Sequence, residues 1–151
     1  MITVACVRTG TKYSIGYVLK LAAMCARHLS QTHRFVCLTD RPGDFSGIET
    51  VDVSPTGLRG WWAKMALFDF TARSSDRVLY LDLDMVVCGS LDPLAALNVE
   101  FGVCANFTRA AGNLNLTLQL LEFGGQSPDH PVHPGIPETK YLKTLFCRVT
   151  R

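Results

Sequence analysis

The run Arg77-Val78-Leu79-Tyr80-Leu81-Asp82-Leu83-Asp84-Met85-Val86-Val87 constrains this chain more than any other stretch. Apolar residues, with strong strand preference at Val78 and Tyr80, lead into two aspartates one leucine apart, and the chain then turns apolar again. The pattern predicts a buried strand with a charged end. Strand side chains alternate between faces, so Asp82 and Asp84 are expected on one side and Leu81, Leu83 and Met85 on the other. Two carboxylates converging beside a hydrophobic strand are costly unless a cation, a basic side chain or water compensates them. A hard divalent ion such as Mg²⁺ or Mn²⁺ suits oxygen ligands of this kind. The other reading of an acidic pair after a strand is a solvated turn. Against it, Met85-Val86-Val87 continues the apolar run where a turn would bring glycine, proline or polar residues.

Around that strand, 151 residues with 48% hydrophobic and 19% charged content predict one globular α/β domain with its own core. The net charge of +2, with no lysine or arginine cluster, argues against a nucleic-acid partner. Cys6, Cys25, Cys37, Cys88, Cys104 and Cys147 are scattered, several inside apolar runs, which predicts free thiols in a reducing compartment. The chain opens directly on a strand-like run, without a basic leader, a cleavage site or a long apolar segment, so a cytoplasmic chain without a transmembrane segment is expected.

In chain order, Ile2 to Val7 predicts a first strand, and the loop Arg8 to Thr11 after it is a candidate ligand-binding edge. Ser14 is placed to cap a helix whose Val18, Leu21, Ala22, Cys25, Ala26 and Leu29 fall at helical spacing. Arg34 to Thr39 predicts a second strand, closed by Asp40-Arg41-Pro42-Gly43, and a parallel crossover between the two is the default. Glu49 to Val53 suits a third strand. Gly60 to Phe70 predicts a helix opening on Trp61 and Trp62, two residues that usually anchor a core, and carrying Lys64 as a possible phosphate contact. Asp92-Pro93 suits an N-cap and first helical position before Leu94 to Leu97, and Phe101 to Phe107 a strand at the sheet edge. Leu114 to Phe123 and Lys140 to Val149 each fit strand or helix, with a proline-rich loop between them.

Several common sites are excluded. Gly10 to Gly16 has neither the Walker spacing nor Gly-x-Gly-x-x-Gly, no Gly-x-Ser-x-Gly elbow occurs, and His130 and His133 are separated by proline without companion ligands. A hydrophobic strand followed by Asp-x-Asp also opens haloacid-dehalogenase-like phosphatases, where the first aspartate is the nucleophile. Here Met85-Val86 follows instead of a small pair, no Asp-Asp occurs downstream, and the motif sits in mid-chain.

The order Val4-Ala5-Cys6-Val7, Tyr13, Thr39-Asp40, Gly60-Trp61-Trp62-Ala63-Lys64 and Leu79 to Asp84 resembles nucleotide-sugar glycosyltransferases of the GT-A fold, in particular bacterial members similar to family 8. That resemblance implies a Rossmann-like sheet with flanking helices and a metal-dependent transfer of sugar from a nucleotide donor, UDP-linked, to an acceptor it does not identify. It implies that Asp82 and Asp84 hold Mn²⁺ (or Mg²⁺) against the diphosphate and that Lys64 faces the phosphates or the sugar. It further implies that Val7 and Tyr13 border the base, with Thr39 and Asp40 in the nucleotide site. The chain departs from the family at Arg8-Thr9, where an aspartate is usual, and after the acidic pair, where Asn113 to Thr117, His130 and His133 do not match the later motifs. The expectation is therefore a donor-binding region over residues 1–107 and a divergent C-terminal segment over 108–151, an incomplete second half. Exposed apolar surface left by that half would favour self-association. A non-catalytic nucleotide- or protein-binding domain is the alternative, and a phosphatase the third.

Overall fold

The computed structural model describes residues 1–99, 101–105, 114–121 and 146–148. Strand β1 (Ile2–Arg8) runs through a loop into helix α1 (Ile15–His28) and back along β2 (His33–Thr39), and a further turn leads to β3 (Glu49–Asp52). A 3₁₀ helix (Gly60–Met65) passes directly into α2 (Ala66–Ala72), then β4 (Arg77–Leu81), β5 (Met85–Val87) and the single-turn α3 (Asp92–Ala95). Strands β6 (Phe101–Ala105), β7 (Leu114–Leu121) and β8 (Phe146–Arg148) follow.

Six strands form one sheet in the order β3-β2-β1-β4-β7-β6, and β5 pairs with β8 apart from it. The first four are parallel, in register Val4 to Phe35 and Val4 to Leu79, while β7 runs antiparallel to both β4 and β6. Strand β6 thus lies at the edge, as expected from its sequence, and Leu114 to Leu121 is strand and not helix. The boundary expected after residue 107 falls between β6 and β7, neighbours in the same sheet. His130, His133 and the proline-rich loop lie outside the described residues.

Both faces of β1 and β4, and of β2 from Val36 onward, are buried, which is why they read as nearly continuous apolar runs. Val4, Cys6, Leu79 and Leu81 meet α1 through Val18, Leu21 and Cys25, with Leu91 and Leu94 from around α3 in the same core. Ala5, Val36, Val78 and Tyr80 meet Ala66 and Leu67 of α2 on the other side. Alternation along β4 therefore sends odd-numbered residues toward α1 and even-numbered ones toward α2.

Two expectations from sequence change. The predicted helix over Gly60 to Phe70 starts as a 3₁₀ helix, and Trp61 and Trp62 are 56% and 63% exposed, packed edge to face on each other at 5.5 Å instead of anchoring the core. Asp92 is the first residue of α3, with Leu91 at the N-cap. Its carboxylate accepts from the Ser30 backbone N–H (2.8 Å) and the Ser90 hydroxyl (2.9 Å), tying the end of α1 to α3; the Ser30 bond, foremost, holds its pKa below the usual value. The cysteines, scattered in sequence, are partly gathered by the fold: Cys6 and Cys37 are cross-strand partners, both buried and free, as is Cys25.

A hydrogen bond to Cys37 and then burial push the Cys6 thiol well up, and burial pushes Cys25 up to about 12. Because the thiolate is the reactive form, Cys6 and Cys25 are expected to resist iodoacetamide at pH 8 in the native protein, while exposed Cys88 labels at least about tenfold faster. Peptide mapping by mass spectrometry after a short pulse checks this, and equal labelling of Cys25 and Cys88 would contradict the packing of α1 on the sheet.

Candidate functional site

The carboxyl ends of β1, β2 and β4 open on one edge of the sheet because the three strands are parallel and adjacent. In open α/β sheets this edge is where ligands bind. It carries Val7 and Arg8 at the end of β1, Thr39 and Asp40 at the end of β2, and Asp82 and Asp84 just after β4.

Strand β4 stops at Leu81, one residue short of the acidic pair. The Met85 N–H donates to the Asp82 carbonyl oxygen at 3.2 Å, so Asp82 to Met85 is a tight turn and not the strand end that alternation predicted. The burial pattern nevertheless continues through it. Leu81, Leu83, Met85 and Val87 are buried, whereas Asp82 and Asp84 are partly exposed. Leu83 anchors the turn in the α1-side core, which explains how the run stays apolar while the chain bends.

The even-numbered face brings three polar groups together. Lys64 Nζ lies 2.6 Å from Asp82 Oδ1, and the Tyr80 hydroxyl donates to the same oxygen. The ammonium also sits 5.7 Å from the centre of the Tyr80 ring, where the ring's negative face attracts it. Lys64 reaches this point because Ala63, Ala66 and Leu67 are buried and fix the 3₁₀ helix and α2 against the sheet. Tyr80 is itself 1% exposed, and burial first, then the Asp82 charge, pushes its pKa well above the ordinary tyrosine value. Among the described residues none hydrogen-bonds or ion-pairs with Asp84, which is partly exposed.

On the neighbouring strands the loops are pinned by charge. Arg8 is buried, donating from Nε to the Tyr13 carbonyl oxygen (3.0 Å) and from Nη1 to Asp44 Oδ2 (3.1 Å), with its guanidinium 5.4 Å from the Phe45 ring centre. The Asp40 carboxylate accepts the Gly10 N–H at 3.0 and 3.2 Å. Gly10 has φ of +66°, a conformation that suits glycine in this turn. Tyr13 packs edge-on against Tyr17 at 5.1 Å and stays partly exposed. Val7 leans on the α2-side core. Thr39 is fully buried, and its hydroxyl accepts the Arg41 N–H, so it shapes the loop and presents no surface to a ligand. Arg8 was noted in sequence only as a departure. Its part in holding the Tyr13 loop depends on Asp44, thirty-six residues away, a contact no local pattern signals.

Among the described residues no group of three or more histidine, cysteine, aspartate or glutamate side chains is placed to hold a metal ion. Nor is any helix among them long and apolar enough to cross a membrane.

No protein-family model matches the chain, and no curated protein matches it in sequence. Solved structures do match. The galactosyltransferase LgtC, solved with donor and acceptor sugar analogs, superposes over 80% of this chain with a TM-score of 0.57 and 19% identity. The fold is that of GT-A glycosyltransferases. The LgtC active-site mutant Q189E gives a TM-score of 0.59 at 20% identity, and the glycosyltransferase GlyE of Streptococcus pneumoniae TIGR4, in its apo form, 0.55 at 19%. The chain spans 57% of LgtC and 33% of GlyE.

The raised Tyr80 pKa fixes a pH dependence. Between the unfolded tyrosine pKa near 10 and the higher folded value, the unfolded chain gives up this proton while the folded one keeps it, so stability is complete below about pH 10 and falls above it. Urea unfolding at pH 9 and pH 11 should show this loss, and Tyr80→Phe should remove part of the slope. An unchanged slope would contradict the burial of the hydroxyl against Asp82.

Proposed function

We propose that this chain is a nucleotide-sugar glycosyltransferase, or the donor-binding part of one, acting on a UDP-linked donor with Mn²⁺ or Mg²⁺ held by Asp82 and Asp84. The observation that carries this reading is the turn after β4: two partly exposed carboxylates, one of them engaged by Lys64 and Tyr80, on the ligand-binding edge of a GT-A sheet. Two carboxylates suit a hard cation that takes its other ligands from water and substrate phosphates, the usual arrangement for Mg²⁺.

In transfer, the bond between the anomeric carbon and the diphosphate oxygen breaks, an acceptor hydroxyl oxygen bonds to that carbon, and its proton passes to the departing diphosphate or to solvent. Negative charge builds on the departing diphosphate. Asp82 and Asp84 would hold a divalent cation, which would supply Lewis-acid neutralisation of that charge. Lys64, a compact and flexible cation beside Asp82, adds a hydrogen bond to a phosphate oxygen. Tyr80 keeps Asp82 oriented from beneath, and Leu83 keeps the turn from shifting. Tyr13 and Asp40 line the edge where the nucleoside lies, with Val7 beside them.

A second reading is a nucleotide-binding domain without turnover, which would use the same acidic turn on the same sheet edge. A phosphatase draws no support, since the matching folds are those of glycosyltransferases. Calorimetric titration with UDP, with and without Mn²⁺, tests both. Metal-dependent binding weakened at least about tenfold by Asp84→Asn is expected; binding with no hydrolysis or transfer of any UDP-sugar selects the second reading. A folded chain that binds no UDP contradicts the donor site altogether.

A further inference from the structure

The charges at the turn do not match those of a site waiting for a bare cation. Asp82 and Asp84 bring two negative charges, but Lys64 places its ammonium 2.6 Å from Asp82 Oδ1, and the Tyr80 hydroxyl takes the same oxygen. The Asp82 side chain is only 17% exposed and that of Lys64 25%, so the pair is shielded in part from water and from salt. A divalent cation approaching the carboxylates alone meets a site already half neutralised, with a positive group lodged beside one of its two ligands. A cation arriving with a diphosphate meets something different. The phosphate oxygens offer the ammonium a new partner, Lys64 can turn to them on its flexible stem, and Asp82, still held by Tyr80, is released to the metal.

We propose that Lys64 makes this turn selective for a metal–diphosphate complex over the bare divalent ion, its ion pair with Asp82 acting as an internal counter-ion that only a phosphate ligand draws away. The proposal rests on the donor-site reading above and adds to it a specificity role for Lys64 exerted before any chemistry. The buried Tyr80 hydroxyl is the positioning group that keeps Asp82 in place when Lys64 leaves.

The test is Mn²⁺ binding followed by the electron paramagnetic resonance signal of the free ion, for the unmodified chain, Lys64→Met and Lys64→Arg, alone and with UDP or inorganic pyrophosphate. Lys64→Met is expected to bind bare Mn²⁺ about tenfold more tightly than the unmodified chain, because removing the ammonium frees Asp82 and removes a repulsive neighbour. Lys64→Arg keeps the charge and should stay weak. UDP should tighten Mn²⁺ binding strongly in the unmodified chain and much less in Lys64→Met. If Lys64→Met fails to fold, Lys64→Gln makes the same comparison with a polar side chain. Bare Mn²⁺ bound no more tightly without the lysine charge overturns the proposal, even where UDP binds normally and the donor site stands. If UDP binds no variant, the donor reading falls by itself. The bare-ion comparison and the pyrophosphate arm still decide the role of Lys64: tighter bare-ion binding in Lys64→Met, with pyrophosphate promoting Mn²⁺ in the unmodified chain, sustains it, and the absence of either overturns it.

Discussion

One oxygen atom ties the site to the fold. Asp82 Oδ1 receives a proton donor from beneath, the hydroxyl of Tyr80, and one from the side, the ammonium of Lys64. The first belongs to the central strand β4 and the second to the 3₁₀ helix before α2, so the contact fastens the end of the sheet to the segment that covers one of its faces. Burying the tyrosine hydroxyl would be costly without this partner. The aspartate turn therefore satisfies the core below it as well as facing solvent above, and a carboxylate with both duties cannot drift far from its position.

The same economy explains the rest of the edge. Arg8, buried at the end of β1, cannot be left without partners, and it finds them in the Tyr13 carbonyl and in Asp44. Asp40, just past β2, takes the Gly10 N–H. The loop between β1 and α1 is thus held at Gly10 by Asp40 and at Tyr13 by Arg8, itself paired with Asp44. A rigid sheet with loops pinned at its carboxyl edge is the arrangement from which a binding site needs least reorganisation.

Much of this was legible in the residues. The strands β1, β2 and β4 announce themselves as apolar runs because both their faces are covered, and the helical stripe of Val18, Leu21 and Cys25 announces α1. Asp82 and Asp84 stand out because carboxylates interrupt such a run, and Lys64 because it is the only cation in its segment. What misled was local inference where long-range contacts decide. The turn at Asp82 to Met85 looks like a strand because Leu83 is buried by tertiary packing, not by pleating. Asp92 has the look of a cap but serves Ser30, sixty-two residues earlier. Trp61 and Trp62 look like core anchors, yet the 3₁₀ geometry that delivers Lys64 to Asp82 leaves them outside. The partnership of Arg8 with Asp44 and of Cys6 with Cys37 exists only once the strands have paired.

The central claim is that the turn after β4 is where a divalent cation and a diphosphate meet. Paramagnetic broadening of backbone amide signals by Mn²⁺ in the presence of UDP tests it most directly. Broadening is expected at Asp82 to Met85 and Lys64, fading along β1 and β2 away from their carboxyl ends, and absent from the opposite edge of the sheet around Met1, Arg34 and Asp76. Broadening centred elsewhere, or none in a folded chain, would contradict the account.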